Sequence, residues 1–438
     1  MTRTIWCEYA WLGGSEPRTS VLVQIDNGRF TSITADMAPD DAERRPGLTL
    51  PGFANGHSHA FHRALRGRTQ DGAGDFWAWR TQMYRLAGRL DPAAYFRLAR
   101  ATFSEMVLAG YTTVGEFHYL HHGPAGRPYD DRNEMGHTVL AAAKDAGIRL
   151  TLLDTCYLHG GFDRPLDVVQ RRFGDDSVDA WATRMTELRP TDAARIGAAV
   201  HSVRACTPDE IAGVVAASEG RPLHAHVSEQ PAENEGCQAA FGRTPTRVFA
   251  DAGALDRRFT AVHGTHLTDD DRVLLGGAHS TVCVCASTER DLADGIGDVP
   301  ALVGAGARIS IGSDSNAVID AFDESRSLEL NERLRTGRRG HLTIDQLLDA
   351  LTDHASLGWD DAGKITVGNR ADLVTLDLGS VRLAGSSVAT MLTTAVHAAD
   401  PADVTTVTID GVDRVTDRRY QAGDVGREFA ELIPRLFP

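Results

Sequence analysis

Histidines and carboxylates in this 438-residue chain gather where short apolar runs end. His57-Ser58-His59 follows such a run, and because strand side chains alternate between two faces, His57 and His59 point the same way and suit one cation. A lone H-x-H is more often an incidental surface pair; its position just after Pro51-Gly52-Phe53-Ala54-Asn55-Gly56 strengthens it. His224-Ala225-His226-Val227-Ser228-Glu229 offers a third imidazole and, three residues on, a carboxylate. His224 shares a face with His226, but the H-x-x-E spacing brings Glu229 beside water held at His226, so His224 is assigned a packed or supporting role. His263 ends another run and can polarise water or a substrate nitrogen, whereas His266 lies farther into the loop and reads as exposed. Asp314, in Gly312-Ser313-Asp314-Ser315, offers a fourth ligand that also accepts a proton, although a lone Asp there is usually a helix cap. Three imidazoles, one carboxylate and a water suit a borderline-hard divalent ion, with one Zn2+ favoured over Fe2+ or Mn2+. The chemistry of such a set is metal-assisted hydrolysis.

These residues require a scaffold that collects strand ends. From Pro51 onward, GFANGH, TTVGEFH, RLTLLDT, RIGAAVH, PLHAHV, FTAVHG, TVCVCA and RISIGSD alternate with helical stretches such as AAYFRLARATFSEMVLA, MGHTVLAAAKDA and PDEIAGVVAASE. This is the βαβα signature of a parallel sheet, and eight units predict an α/β fold, a (β/α)8 barrel of the TIM type over residues 51–365. In that architecture the working residues sit at the C-terminal strand ends. Residues 1–50 read as short strands with an Asp26-Asn27-Gly28 turn, and residues 366–420 return to strands, ADLVTLDL and VTTVTIDG. The two ends therefore predict one small β-sandwich domain, followed by a terminal helix over 421–438.

Composition narrows the partners. Forty-five Lys and Arg against sixty Asp and Glu leave a net charge of −15, which opposes nucleic-acid and anionic-membrane binding and requires local arginines for a small anionic substrate. No apolar stretch is long enough to span a membrane and the start lacks a secretory leader, so the expected compartment is the cytoplasm. Six cysteines without a C-x-x-C pair read as buried, reduced thiols; Cys283 and Cys285 alternate on one run without ligand spacing. Lysine occurs only at 144 and 364.

PGFANGHSHAFHRA, the H-x-x-E after the fifth run, the histidine of the sixth and the S-D-S after the eighth resemble the amidohydrolase superfamily, in particular its mononuclear deaminase branch. The likeness spans nearly the whole chain, including GKITVGNRADLVTLD. Two-metal members bridge their ions with a carboxylated lysine at the end of strand four, which this chain lacks. The resemblance implies His57, His59, His226 and Asp314 as metal ligands, Glu229 for proton transfer, and His263 with Asp314 for activating water. Finer motifs, Phe76-Trp77-Ala78-Trp79-Arg80 with Met83-Tyr84, Glu116 to His122, and His201-Ser202-Val203-Arg204, resemble the formimidoylglutamate deiminase family of histidine degradation. That resemblance implies hydrolysis of N-formimino-L-glutamate to N-formyl-L-glutamate and ammonia, with His62, Arg80, Tyr119, His201 and Arg204 on the substrate. Two arginines suit two carboxylates, which guanidinium groups grip bidentately. Without the resemblance, Arg80 would read as a surface ion pair, and His118 and Tyr119 as packing. Two departures stand out: His62 where the family often has Gln, and Asn316 where it often has His, the first bearing on substrate detail and the second on the orientation of Asp314. The alternative use of the same constellation is an aminohydrolase of a nucleobase or nucleoside such as guanine, cytosine or an adenosine derivative, for which Trp77 and Trp79 offer stacking surface. A non-catalytic relative would have lost a ligand or Glu229, and neither is missing. The architecture also implies a homodimer formed through barrel helices.

Overall fold

The computed structural model describes residues 2–70 and 76–437, with the backbone alone for 76–78. Eight parallel strands form its centre: β5 (Phe53–Ser58), β6 (Tyr111–His118), β7 (Arg149–Cys156), β8 (Ala194–Val200), β9 (Leu223–Val227), β10 (Phe259–His263), β11 (Thr281–Val284) and β12 (Arg308–Ile311). They are hydrogen-bonded in sequence order from β5 to β12. A parallel bridge between Ser58 and Asp314 joins the two ends of the ring. Every residue of β6, β7 and β9 is buried, as expected for strands covered on both faces. All eight apolar runs read from the sequence are barrel strands.

Helices pack outside, and their starts are written locally. The Asp91 carboxylate accepts the Ala94 N–H at 2.8 Å before the helix Pro92–Leu108, and a reciprocal Thr207/Glu210 capping box opens Pro208–Ala217. The floor of the barrel is filled by residues 354–359. His354 bridges the Thr113 hydroxyl and the Gly52 carbonyl, Trp359 donates to Thr151, and His224 meets the Ser356 carbonyl at 3.0 Å. His224 is thus a floor residue, consistent with packing.

The two chain ends meet in a second sheet. Its strands are β1 (Arg3–Ala10), β2 (Arg18–Asp26), β3 (Arg29–Thr34) and β4 (Glu43–Pro51) from the start, and β13 (Leu373–Leu376), β14 (Val404–Ile409), β15 (Val412–Thr416) and β16 (Arg419–Tyr420) from the end. They form one continuous ladder, β16-β15-β14-β13-β4-β1-β2-β3, where the sequence suggested a sandwich. The reason is β4, which pairs parallel with β1 on one side and antiparallel with β13 on the other and so joins the four strands of each chain end into one ladder. Ile5, Cys7, Val21, Val23, Ile25 and Phe30 pack with Ile365 and Leu373 in its own small core. A helix unforeseen in the sequence, Val388–Ala398, interrupts the second group of strands and buries Met391, Leu392, Ala395 and Val396, an i, i+4 pattern on one face. The terminal helix spans Val425–Leu436 and buries Val425, Phe429, Leu432 and Leu436, with the Arg63 guanidinium 4.1 Å from the Phe429 ring centroid.

One buried ion pair couples the second sheet to the barrel. Arg149 at the foot of β7 binds Asp372 through both terminal nitrogens and also reaches Asp410 at 3.0 Å and the Thr113 hydroxyl at 3.1 Å. Both members of the pair are almost fully buried. Removing one leaves an uncompensated buried charge, a loss of about 3–5 kcal/mol. Arg149→Met is therefore expected to lower chemical-denaturation stability by that amount, and an unchanged midpoint would show that the pair does not hold the two sheets together.

Candidate active site

The C-terminal ends of the barrel strands carry the site. His57 and His59 lie at the end of β5 and just past it, His226 on β9, and Asp314 just beyond β12. Nε2 of His57 stands 3.2 Å from Nε2 of both His59 and His226, and 3.4 Å from Oδ1 of Asp314, which is also 3.4 Å from Nε2 of His59. A tetrahedral ion with bonds of 2.0–2.1 Å separates its donors by about 3.3 Å. The four atoms thus outline the edges of one coordination shell. Two of the imidazoles are fixed from behind: Nδ1 of His59 donates to the Phe117 carbonyl at 3.0 Å and Nδ1 of His226 to the His201 carbonyl at 2.9 Å, which turns each Nε2 lone pair inward. Burial, with neighbouring imidazoles adding to it, depresses the basicity of all three rings, so they are neutral and ready to ligate. Buried lone pairs converging without protons between them are mutually repulsive, and a divalent cation relieves that repulsion.

The chain brings the two ligand-bearing segments together closely. A Cβ on Gly312 would lie 2.9 Å from the His57 carbonyl, so glycine is what lets the end of β12 approach β5. Asn316 fastens the junction: its amide donates to the His59 and Asp314 carbonyls at 3.0 and 3.1 Å and to the Ser58 hydroxyl at 3.2 Å. Its carbonyl oxygen accepts from Ser313, whose hydroxyl in turn accepts from Asn55. Ser228, His263, Asp314 and Asn316 all have left-handed φ, between 40° and 71°, conformations costly for non-glycine residues and typical of sites held by their surroundings.

Proton-transfer groups flank this centre. His263 Nε2 lies 3.9 Å from both Glu229 Oε1 and Asp314 Oδ2, and its Nδ1 lies 3.5 Å from Glu289 Oε1. Burial disfavours the charged imidazole, but Glu229, Glu289 and Asp314 together outweigh it and hold His263 well above the ordinary histidine range. Glu289, whose carboxylate also accepts the Cys285 N–H at 3.0 Å, orients His263 and was not singled out in the sequence. Its place just after the seventh apolar run was the available signal.

His62, Arg80, Tyr119, His201 and Arg204 surround one cavity with His59, His226, Glu229, His263 and Asp314 at its inner end. Nε2 of His62 and the Tyr119 hydroxyl are 2.9 Å apart, and burial pushes His62 down to about 3, so the ring is neutral. Arg204 approaches Glu229 at 3.7 Å. Arg80 donates from Nε to the Tyr84 hydroxyl at 2.7 Å. That hydroxyl accepts from Gln170 at 3.0 Å, and Gln170 also reaches the Tyr157 hydroxyl at 3.0 Å, so this buried amide ties together three parts of the wall. Trp79 lines the cavity, whereas the side chain of Trp77 lies outside the described residues. His266 is half-buried rather than exposed, because its Nε2 donates to the Asp294 carbonyl at 2.7 Å. His118 stacks on Tyr95 and sits beside His121 and Asp154 behind the cavity. Arg184 already grips Asp154 at 2.7 and 2.9 Å, so this second group of donors is neutralised internally. All six cysteines are buried and unpaired, and burial pushes the Cys285 thiol up, which keeps it protonated beside His263 and Asp314.

Residues 48–412 match the model of the amidohydrolase family. The chain belongs to that family. It is 37% identical over 428 residues to a formimidoylglutamate deiminase of Pseudomonas aeruginosa, covering 94% of each chain. An 8-oxoguanine deaminase of the same species is 28% identical, over 90% of this chain and 87% of its own. Among solved structures, an amidohydrolase of Brucella melitensis superposes with a TM-score of 0.91 at 32% identity, covering 100% of both chains.

In this amidohydrolase, loss of a converging donor should abolish tight metal binding. His226→Ala is expected to lower the metal content of dialysed protein from about one ion per chain to near zero by elemental analysis, while full retention would exclude His226 as a ligand. Gln170→Ala removes only support. Losing about 1 kcal/mol of hydrogen bonding behind Arg80 should raise KM about fivefold with kcat nearly unchanged, and a fall in kcat alone would argue against that role.

Proposed function

We propose that this amidohydrolase hydrolyses N-formimino-L-glutamate to N-formyl-L-glutamate and ammonia. The observation that carries the reading is the pairing of two guanidinium groups, Arg80 and Arg204, with the hydroxyl and imidazole groups of Tyr119, His62 and His201, around a pocket that ends at the donor set. Two arginines answer the two carboxylates of a glutamate moiety, and clamping both fixes how far the formimino carbon reaches. Likeness to the deiminase of Pseudomonas aeruginosa over nearly the full chain supports the same assignment.

His57, His59, His226 and Asp314 would hold one Zn2+, which suits this nitrogen and oxygen set and, when bound, polarises water and lowers its pKa toward about 7. Asp314 takes the first proton of the attacking water, and His263, charged in this setting, orients that water. As the water oxygen bonds to the formimino carbon, the C=N electron pair moves to the terminal nitrogen, which Glu229 protonates with the water's first proton, passed on from Asp314. The second water proton passes to the same nitrogen as the C–N bond breaks, so ammonia leaves and the carbonyl forms. Arg204 beside Glu229 fixes the substrate end from which that proton is delivered. Which nitrogen is protonated decides the outcome, because the glutamate amine would otherwise compete as leaving group. A place in histidine degradation and in the cytoplasm follows from this substrate; no described helix is long and apolar enough to cross a membrane.

Steady-state ammonia release from N-formimino-L-glutamate by zinc-loaded protein, beside guanine, cytosine and adenosine, tests the assignment. A kcat/KM above ~10^4 M⁻¹s⁻¹ is expected for the formimino compound alone, and turnover of a nucleobase alone would overturn it. Glu229→Gln should keep its metal yet lose at least ~100-fold in kcat, the lower range for a positioned acid–base. Near-normal turnover in that variant would remove Glu229 from proton transfer.

A further inference from the structure

Beyond Arg204 the cavity opens into a second chamber of about 310 Å³, lined by Arg80, Phe162, Arg164, Arg204, Gln230 and Glu233. That volume lies at the lower end of the roughly 300–1,000 Å³ of small-molecule sites. Its outer wall is a stapled turn. Gly160 N–H donates to the Arg164 carbonyl at 2.9 Å, and Arg164 N–H to the Gly161 carbonyl at 3.1 Å. Phe162 anchors the turn against Phe241, with ring centroids 5.7 Å apart, and over Gly236, where a Cβ would come within 2.5 Å of the Phe162 ring. Gln170, which already ties Tyr84 to Tyr157, also holds the Gly160 carbonyl at 3.3 Å. The turn is therefore fixed to the wall of the inner site, and Arg164 is presented at the rim.

Arg164 is exposed and has no carboxylate partner among the described residues. Three guanidinium groups thus line one chamber of a chain whose net charge is −15. The carboxyl facing them, Glu233, is buried with Oε1 unpartnered, and burial raises it to about 7, so it offsets them only in part.

We propose that this chamber is an anion-capturing antechamber, in which Arg164 draws a small dicarboxylate from solution and passes it to Arg80 and Arg204 at the inner site. The proposal rests on the dicarboxylate reading of the active site. A cleft lined by one sign of charge concentrates its counter-ion and accelerates association, an effect that salt suppresses. Arg164 does not line the inner cavity, so its contribution falls on association and leaves the chemical step alone.

The test compares kcat/KM for N-formimino-L-glutamate in the wild type, Arg164→Ala, Arg164→Glu and Arg339→Ala as ionic strength rises from ~10 mM to ~0.5 M. Arg339, exposed just past the helix Ala321–Thr336, is away from the C-terminal strand ends and controls for net charge. At low salt Arg164→Ala is expected to lower kcat/KM about 3–10-fold and Arg164→Glu further, with kcat held within about twofold and the gap closing at high salt. Arg339→Ala should match the wild type. An unchanged kcat/KM, a loss that persists at high salt, or a parallel fall in kcat would each overturn the antechamber. Failure of the wild type to turn over the formimino compound would instead sink the substrate assignment. The antechamber then stands or falls on the association rate of glutarate, followed by stopped-flow tryptophan fluorescence: slower association in Arg164→Ala at low salt supports it, and equal rates overturn it.

Discussion

The convergence of three neutral imidazoles and one carboxylate on a single buried point is the constraint on which the rest of the structure depends. Among the described residues those inward nitrogens face only one another and Asp314, and the surroundings keep them aimed: the carbonyls of Phe117 and His201 behind two of the rings, the glycine at 312 that lets the strands touch, and the Asn316 amide across the junction. Desolvation makes this arrangement unfavourable alone and favourable around a cation. Barrel closure and the ligand shell are consequently the same event, because the Ser58–Asp314 bridge that joins the ends of the sheet also sets Asp314 beside His57 and His59. Asparagine at 316 supplies enough donors to serve both segments at once, so the departure from the family pattern leaves Asp314 held.

Around that centre, opposite charges are kept apart by layers. Carboxylates crowd the inner end, where Glu229, Glu289 and Asp314 surround His263, while guanidinium groups line the way in. An anionic substrate therefore meets three guanidinium groups beside the one carboxyl of Glu233 on the way in, and the carboxylate cluster only at the reacting nitrogen, which arrives as a cationic or proton-accepting amidine. This ordering explains how an acidic chain accommodates a dianion: the sign of the net charge sets solubility, and the local field sets what enters.

Much of this was legible in the sequence because it rests on short-range pattern. Each barrel strand is an apolar run with its own boundary signals, and each metal donor lies within a few residues of the end of one, so position along the chain translated directly into position in space. The second sheet was harder. Its ends were recognisable as strands, but a single ladder depends on β4 bridging segments more than 300 residues apart, and the segment Val388–Ala398, with two valines and three threonines, reads equally well as strand. Supporting residues were hardest of all. Gln170 bonds to partners 10 to 86 residues away, and Asn316, though visible as a departure from the family pattern, reaches back 257 and 258 residues to His59 and Ser58; no local periodicity announces such bonds.

The same distinction separates what the first and second layers of the site contribute. A donor atom in the inner shell is constrained by bond length, so its identity is nearly fixed once the fold is known. The wall beyond it is constrained only to present charge and shape, and here that role falls to a turn, Gly161–Arg164, whose own hydrogen bonds and Phe162 anchor fix it without reference to the metal. Gln170 and Tyr84 join the backbone of this turn to Arg80, so rim and clamp hold one another in place while the Arg164 side chain stays outside the inner cavity. Substrate selection in this fold is then a property of the connected wall, with Gln170 as the residue through which rim and clamp are tied, whereas the hydrolytic chemistry belongs to the strand ends alone.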